Sequence, residues 1–294
     1  MFSSTDCVES SLMACGLMAA KDNHSNASKR KADVVVKLPQ AMSALVQPKN
    51  AVADVVAAAD ASTDDVGASE DGVLHLKSTL GTQQHWDDHY ARERDNFAAD
   101  EDDEGVDWFS ENVGSRLLQW VEDHAQPGGS VLDLGCGSGV FLLDVEESVD
   151  VGRALGVDYS PAGIALARAV GAKRGASSQF EEADITKLEA LDERFDLVCD
   201  KGTFDAYMLG DGASVRAYAT SVAAAVAPGG VFLLTSCNNT AEELIRHFAA
   251  ANADTWGGGG ASPFSELDRV RYPTFQFGGV QGAAVATVAF RRAA

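Results

Sequence analysis

Cysteine is scarce in this sequence and never paired. The five residues are Cys7, Cys15, Cys136, Cys199 and Cys237, and no two form a C-x-x-C. An odd count at such spacing excludes a disulfide framework and a cysteine zinc site. It points to a reducing compartment, the cytoplasm. Long apolar runs are also missing. No stretch of 18 apolar residues occurs, which excludes a membrane-spanning helix and a membrane partner. Basic residues are in deficit, 23 Lys and Arg against 44 Asp and Glu, for a formal charge of -21. That balance argues against a nucleic-acid backbone as the main partner, because phosphate binding needs clustered cations. A hydrophobic fraction of 46% over 294 residues is ordinary globular composition, with ample chain for a core.

Residues 1–80 lack a stable hydrophobic period and read as a disordered extension ahead of one folded domain, 81–294. They hold 10 acidic and 7 basic residues, about -3, so about -18 belongs to the remainder. Leu12 to Ala20 is a short apolar stretch, but Asp6 and Glu9 precede it and no basic segment does. A targeting peptide is therefore the weaker reading there. A short helix is expected at Ala51–Ala59, and a flexible loop at Gly257–Gly260.

From Ser130 onward, strands alternate with helices. Strands are expected at Ser130–Leu134, Ala154–Asp158, Phe180–Ala183, Phe195–Asp200 and Val231–Ser236. Helices are expected from Val140, from Pro161 to Ala172, over Ser214–Val226 and over Glu242–Ala250. Ser160 is placed to cap the second of these, with Pro161 at its first position. Two late β-rich runs, Thr274–Gly278 and Ala284–Phe290, surround Gly278-Gly279 and suggest a hairpin. The pattern predicts an α/β fold with a mostly parallel sheet and helices on both faces.

The glycine-rich turn after the first strand reads Asp133-Leu134-Gly135-Cys136-Gly137-Ser138-Gly139. A dinucleotide motif G-x-G-x-x-G would need glycine at position 140, where Val140 stands. The acid beside the turn suits a cationic or amino-bearing ligand better than a pyrophosphate. Glycines here would let that ligand approach the backbone. Three more acids close the next three strands: Asp158, Asp184 and Asp200. Ligands of open α/β sheets bind beyond the carboxyl ends of the strands. Asp158 could accept two ribose hydroxyls. Asp184 could accept from an adenine amino group, with Ile185 packed on the ring and Tyr159 beside it.

With DLGCGSG, GVDYS, EEADIT and FDLVCDKGTFD in place, the sequence resembles the class I S-adenosylmethionine-dependent methyltransferases. DKGTFD (200–205), TSCN (235–238) and PTFQFGG (273–279) narrow the resemblance to the protein-lysine methyltransferases acting on translation elongation factor 1-alpha. WDDHY (86–90) and WFSE (108–111) agree. The resemblance covers about residues 80–294. It departs at Asn239, where the family usually carries Trp. Glu93 and the acidic run 100–104 fit a position that the family keeps acidic.

The resemblance implies a Rossmann-like class I fold with a seven-stranded sheet and a C-terminal antiparallel hairpin. It implies S-adenosyl-L-methionine as cofactor and elongation factor 1-alpha as protein substrate. The attacking lysine nitrogen must be neutral. With a reference pKa of about 10.4, roughly one lysine in 10³ is neutral at pH 7. Cofactor contacts are expected from Asp133, Gly135, Cys136, Gly137, Gly139, Asp158, Tyr159, Asp184, Ile185 and Trp86. Substrate contacts are expected from Trp108, Thr203 and Phe204. Asp200 is expected at the catalytic edge, orienting the amine or accepting its proton through water. Its alternative role is to cap the Lys201–Thr203 turn. Lys201 reads as a structural residue, Phe275 and Phe277 as core. His85 and His89 lack a metal-ligand pattern, and no metal is expected. The acidic domain, and the 100–104 run in particular, could steer a basic protein. A monomer is expected. A small-molecule methyltransferase and a non-catalytic cofactor-binding scaffold are the competing readings.

Overall fold

A computed structural model describes residues 78–294 except 106, 250–261, 274, 278 and 279. The expected extension therefore lies almost wholly outside the described residues. So do its targeting segment, the Ala51–Ala59 helix and the Gly257–Gly260 loop. The first described element is a 3-10 turn, Thr79–Gly81.

The sheet strands are β1 (Gly129–Leu134), β2 (Val151–Asp158), β3 (Gln179–Glu182), β4 (Phe195–Lys201), β5 (Val226–Ser236), β6 (Phe264–Val270) and β9 (Ala286–Arg292), in the order β3-β2-β1-β4-β5-β9-β6. The first five run parallel, and β9 pairs antiparallel with both β5 and β6. The expected C-terminal antiparallel pairing is present, between β6 and β9, but the two runs named from the sequence do not pair with each other. The 284–290 run supplies β9, but its sheet partners are β5 and β6, and β6 carried no clear strand signal in the sequence. The run 274–278 instead gives β7 (Phe275–Phe277), which pairs with β8 (Val280–Gly282) in a separate two-stranded sheet. β6 was obscured because charge dominates it. Glu266, Asp268 and Arg269 lie along an edge strand, where charges discourage pairing with other chains. β5 also starts earlier than expected. Val226 pairs with Phe195, and the register shifts before Leu197 meets Val231, so Pro228-Gly229-Gly230 sits inside the strand at an irregularity.

The helices are α1 (Gln83–Ala99), α2 (Glu111–His124), α3 (Val140–Ser148), α4 (Pro161–Arg174), α5 (Thr203–Met208), α6 (Val215–Ala225) and α7 (Ala241–Phe248). Period-two alternation divides the core between the two sheet faces. Val131, Leu197, Cys199 and Leu233 join Tyr90, Leu117, Phe141 and Leu142 from α1, α2 and α3. Leu132, Leu134, Val198 and Phe232 join Phe204, Tyr218 and Phe248 from α5, α6 and α7. The caps agree with the sequence. Ser160 accepts from the Gly163 N–H, and Thr240 with Glu243 forms a capping box.

The 100–104 run is not simply a free acidic rim. The Arg174 guanidinium grips Glu104, with Nε at 2.9 Å, and holds its carboxyl below the usual range. Arg174 also donates to Asp144 at 2.7 Å, and Lys173 pairs with Asp102 at 3.1 Å. The two cations at the end of α4 thus fasten the segment that follows α1. The Arg174–Glu104 pair is partly buried, with side chains 18% and 20% exposed, and lies between surface and interior ion pairs in worth. Arg174→Ala should cost about 1–2 kcal/mol in a urea melt. Adding Glu104→Ala should cost less than the two single losses combined. Strict additivity would show that the pair is not coupled.

Candidate active site

The carboxyl ends of β1, β2, β4 and β5 open onto one cavity of about 570 Å³. Its wall includes Asp158, Asp184, Asp205, Asp211 and one cation, Lys201. Lys201 is paired at 2.6 Å with Asp107. The cavity is therefore built for positive charge.

The turn after β1 shows why its glycines are there. Gly135 and Gly137 hold positive φ angles of 63° and 54°. A Cβ at Gly135 would overlap the Thr203 side chain, and one at Gly137 would overlap the Tyr90 hydroxyl. The sequence reading assigned this room to a ligand. The protein's own side chains fill much of it, drawing α5 and α1 tightly onto the turn.

Asp133 lies beneath that turn, 3% exposed. Among the described residues no hydrogen bond reaches its carboxylate. Burial pushes its carboxyl up to about 7, and the Lys201 charge pulls in the opposite direction. Asp158 accepts from Gly137 N at 3.0 Å and from Ser160 N at 2.9 Å. Burial nevertheless raises it to about 6. A carboxylate offers about four acceptor positions, so these backbone donors leave capacity for a ligand's hydroxyls. Asp184 caps the following 3-10 segment through Thr186 and pairs with Lys187 at 2.7 Å, which holds its carboxyl below the ordinary range. Ile185 and Tyr159 also line the cavity.

The roof comes from the N-terminal side of the domain. The Trp86 indole donates to Leu80 O at 2.7 Å and pins the 3-10 turn over the cavity. Trp86 and Trp108 meet edge to face at 5.0 Å, and both line the cavity. The Trp108 Nε1 and His89 Nε2 atoms are buried without a hydrogen-bond partner. Burial lowers the His89 pKa to about 4, so its ring is neutral.

Sequence-marked residues that line the cavity are Trp86, Trp108, Gly135, Asp158, Tyr159, Asp184, Ile185 and Thr203. Asp133, Cys136, Gly137 and Gly139 lie in or under the turn, behind that wall. Asp200 and Phe204 are placed elsewhere. In β4, Leu197 and Cys199 face α2 and α3, so alternation turns Asp200 to the opposite face. There its carboxylate accepts from Thr203 N at 2.9 Å, Phe204 N at 3.0 Å and the Tyr218 hydroxyl. Burial raises it to about 8. This geometry matches the capping alternative. Phe204 packs in the core, its ring 5.1 Å from Tyr218 and 5.3 Å from Phe248. Sequence reasoning passed over Asp205 and Cys237, which both line the cavity. The second acid of DKGTFD was the available signal. Among the described residues no cluster of three or more His, Cys, Asp or Glu is placed to hold a metal.

Residues 125–267 match the methyltransferase domain family. The human protein named EEF1A lysine methyltransferase 2 is 35% identical over 241 residues, spanning 80% of this chain and 95% of that protein. The Saccharomyces cerevisiae protein-lysine N-methyltransferase EFM4 is 34% identical over 227 residues, spanning 72% and 94%. This chain belongs to the protein-lysine N-methyltransferase family that these relatives represent. A solved structure of a ribosomal protein L11 methylase from Lactobacillus delbrueckii subsp. bulgaricus is also similar, at 14% identity and a TM-score of 0.46, over 63% of this chain and 81% of that one. A methyltransferase of this fold uses S-adenosylmethionine, and the donor set fits it. A buried carboxylate that accepts no hydrogen bond among the described residues, beside a turn and an acid-lined cavity, suits a ligand carrying ammonium and sulfonium charges.

The raised acids set a pH dependence. With folded pKa values near 7 and 6, Asp133 and Asp158 bind more protons in the folded chain than in the unfolded one. They favour the fold at low pH, and that contribution is lost as pH rises through 6 and 7. A cationic ligand needs their ionised forms. Calorimetric affinity for S-adenosylmethionine should therefore be about tenfold or more weaker at pH 5 than at pH 8, since one unit below its pKa an acid is about one-tenth ionised. An affinity independent of pH would disprove this account.

Proposed function

We propose that the chain methylates a lysine of translation elongation factor 1-alpha, using S-adenosyl-L-methionine. The observation that carries this reading is its match to the human protein named EEF1A lysine methyltransferase 2 over 95% of that protein's length, with a protein-lysine N-methyltransferase matched over 94% of its length beside it. The acidic lining of the cavity, which suits a cationic ligand, supports it. S-adenosylmethionine supplies an electrophilic methyl group on a positive sulfur.

The chain's own residues divide the remaining work. Asp133 and the Gly135–Gly139 turn, Cys136 and Gly137 included, receive the amino-acid end of the cofactor. Asp158 takes the ribose hydroxyls. Asp184, Ile185 and Tyr159 receive the adenine. Trp86 holds the roof, and Trp108 packs on the aliphatic stem of the target lysine. Thr203 lines the passage at the end of β4, and its hydroxyl donates to Leu134 O at 2.7 Å, joining α5 to β1. Asp200 acts as a positioning residue. Its hydrogen bonds to the Thr203 and Phe204 amides set the turn that carries Thr203 to the cavity wall. Phe204 serves the same turn by packing beneath it. Positioning is the largest contribution such a site can make. The acidic character of the chain suits a basic protein substrate. A monomer in the cytoplasm goes with this reading.

The test is transfer from labelled S-adenosylmethionine to purified, unmethylated elongation factor 1-alpha, followed by mass mapping of tryptic peptides. Label should appear on lysine, and Asp133→Ala should reduce it at least 100-fold. Label confined to a small-molecule fraction of cell extract would replace this reading with the small-molecule one. Cofactor binding with no transfer to any fraction would favour the scaffold.

A further inference from the structure

Asp205 is a buried carboxylate that the roles above leave unused. It sits in the first turn of α5, 3% exposed, on the cavity wall. The end of β5 fastens it. Ser236 Oγ donates to Oδ1 at 2.5 Å, and Cys237 N donates to Oδ2 at 2.7 Å. Two longer contacts, Asn239 Nδ2 to Oδ1 and Cys237 Sγ to Oδ2, both stand at 3.4 Å. The short pair orients the carboxylate. The long pair holds one acceptor position on each oxygen only weakly, and an ammonium is a stronger donor than a thiol or an amide.

The other acids of the wall are placed differently. Asp158 ends β2 and Asp184 follows β3, so both stand on the nucleoside side. Asp205, Cys237 and Lys201 stand across the β1–β4 boundary, at the ends of β4 and β5. There the Lys201 charge is matched by Asp107. Asp205 therefore places negative charge at that end of the cavity, on a wall that Asp211 shares.

We propose that Asp205 receives the ammonium of the target lysine and takes up one of its protons. This rests on the lysine methyltransferase reading above. In the step, one N–H bond breaks and an O–H bond forms on the carboxylate. The electron pair left on nitrogen forms the new N–C bond as the methyl–sulfur bond breaks, its pair staying on the departing thioether sulfur, and the proton then passes from Asp205 to water. The TSCN segment and Asn239 thereby acquire a role, which is to aim this carboxylate. Where the family's Trp would stand, the Asn239 amide donates to Ser236 Oγ at 3.0 Å and reaches Asp205.

The ionisable groups facing Asp205 are Asp200 of β4, Tyr218 of α6 and Cys237 after β5, with Lys201 on the same cavity wall. Burial raises the Asp205 carboxyl, and the Ser236 hydrogen bond lowers it. Asp205→Asn in the full chain should lower kcat/KM on elongation factor 1-alpha at least 100-fold, within the usual range for loss of an acid–base group. Calorimetric affinity for S-adenosylmethionine should stay within threefold. A kcat/KM within threefold of wild type overturns the proposal. If Asp205→Asn does not fold, Ser236→Ala carries the test. Removing that donor raises the carboxyl further, so the acidic limb of the kcat/KM profile should move to higher pH. A uniform fall in rate with the limb unmoved overturns the proposal. A wild-type chain that binds cofactor but methylates no lysine defeats the functional reading and this proposal together. A wild type that methylates, matched by Asp205→Asn, defeats this proposal alone.

Discussion

Side-chain alternation across the parallel pair β1–β4 is the constraint on which the site depends. Asp133 pairs with Cys199, and Leu134 pairs with Asp200. Neighbouring strands keep their inward and outward faces together, so a residue's parity decides which layer it enters. Asp133 and Lys201 reach one layer, close enough for their charges to interact. Asp200 reaches the other, where Tyr218 and the amides of α5 receive it. One acid becomes part of the ligand cradle and the other part of the scaffold, although both stand at strand ends.

The roof illustrates how packing and binding share the same atoms. Tyr90 presses against Gly137, the Trp86 indole holds Leu80, and Asp87 accepts from Ser160 Oγ at 2.5 Å. These contacts tie α1 to the turns after β1 and β2. The Arg174 and Lys173 ion pairs tie the segment beyond α1 to the end of α4. The region that covers the cavity is therefore held at both ends by polar contacts, with an aromatic cluster between them.

The charge pattern separates into local and collective parts. Asp102 and Glu104 are engaged by cations of the same chain, so the acidic run contributes less to the outer field than its composition suggests. The cavity acids act at short range on a cationic ligand. The overall negative charge sets a long-range field, which is screened beyond about 10 Å at ordinary ionic strength. These are different tasks, and different residues perform them.

The alternation of the first five strands with helices, the glycine turn, the acids at strand ends and the family were legible in the sequence. They are local features, set by hydrophobic period, turn chemistry and motif spacing. Asp158, Tyr159, Asp184 and Ile185 reached the cavity because their position at strand ends is itself a local property. The partner of β9 was not legible, because an edge strand rich in charge carries a weak period. Nor was the division of labour within DKGTFD. Whether Asp200 or Asp205 meets the cavity depends on strand parity, on the turn at Gly202 and on the hydroxyl and amide donors that β5 brings from thirty residues away. Only the tertiary structure joins those groups, and it does so by placing β4 between β1 and β5.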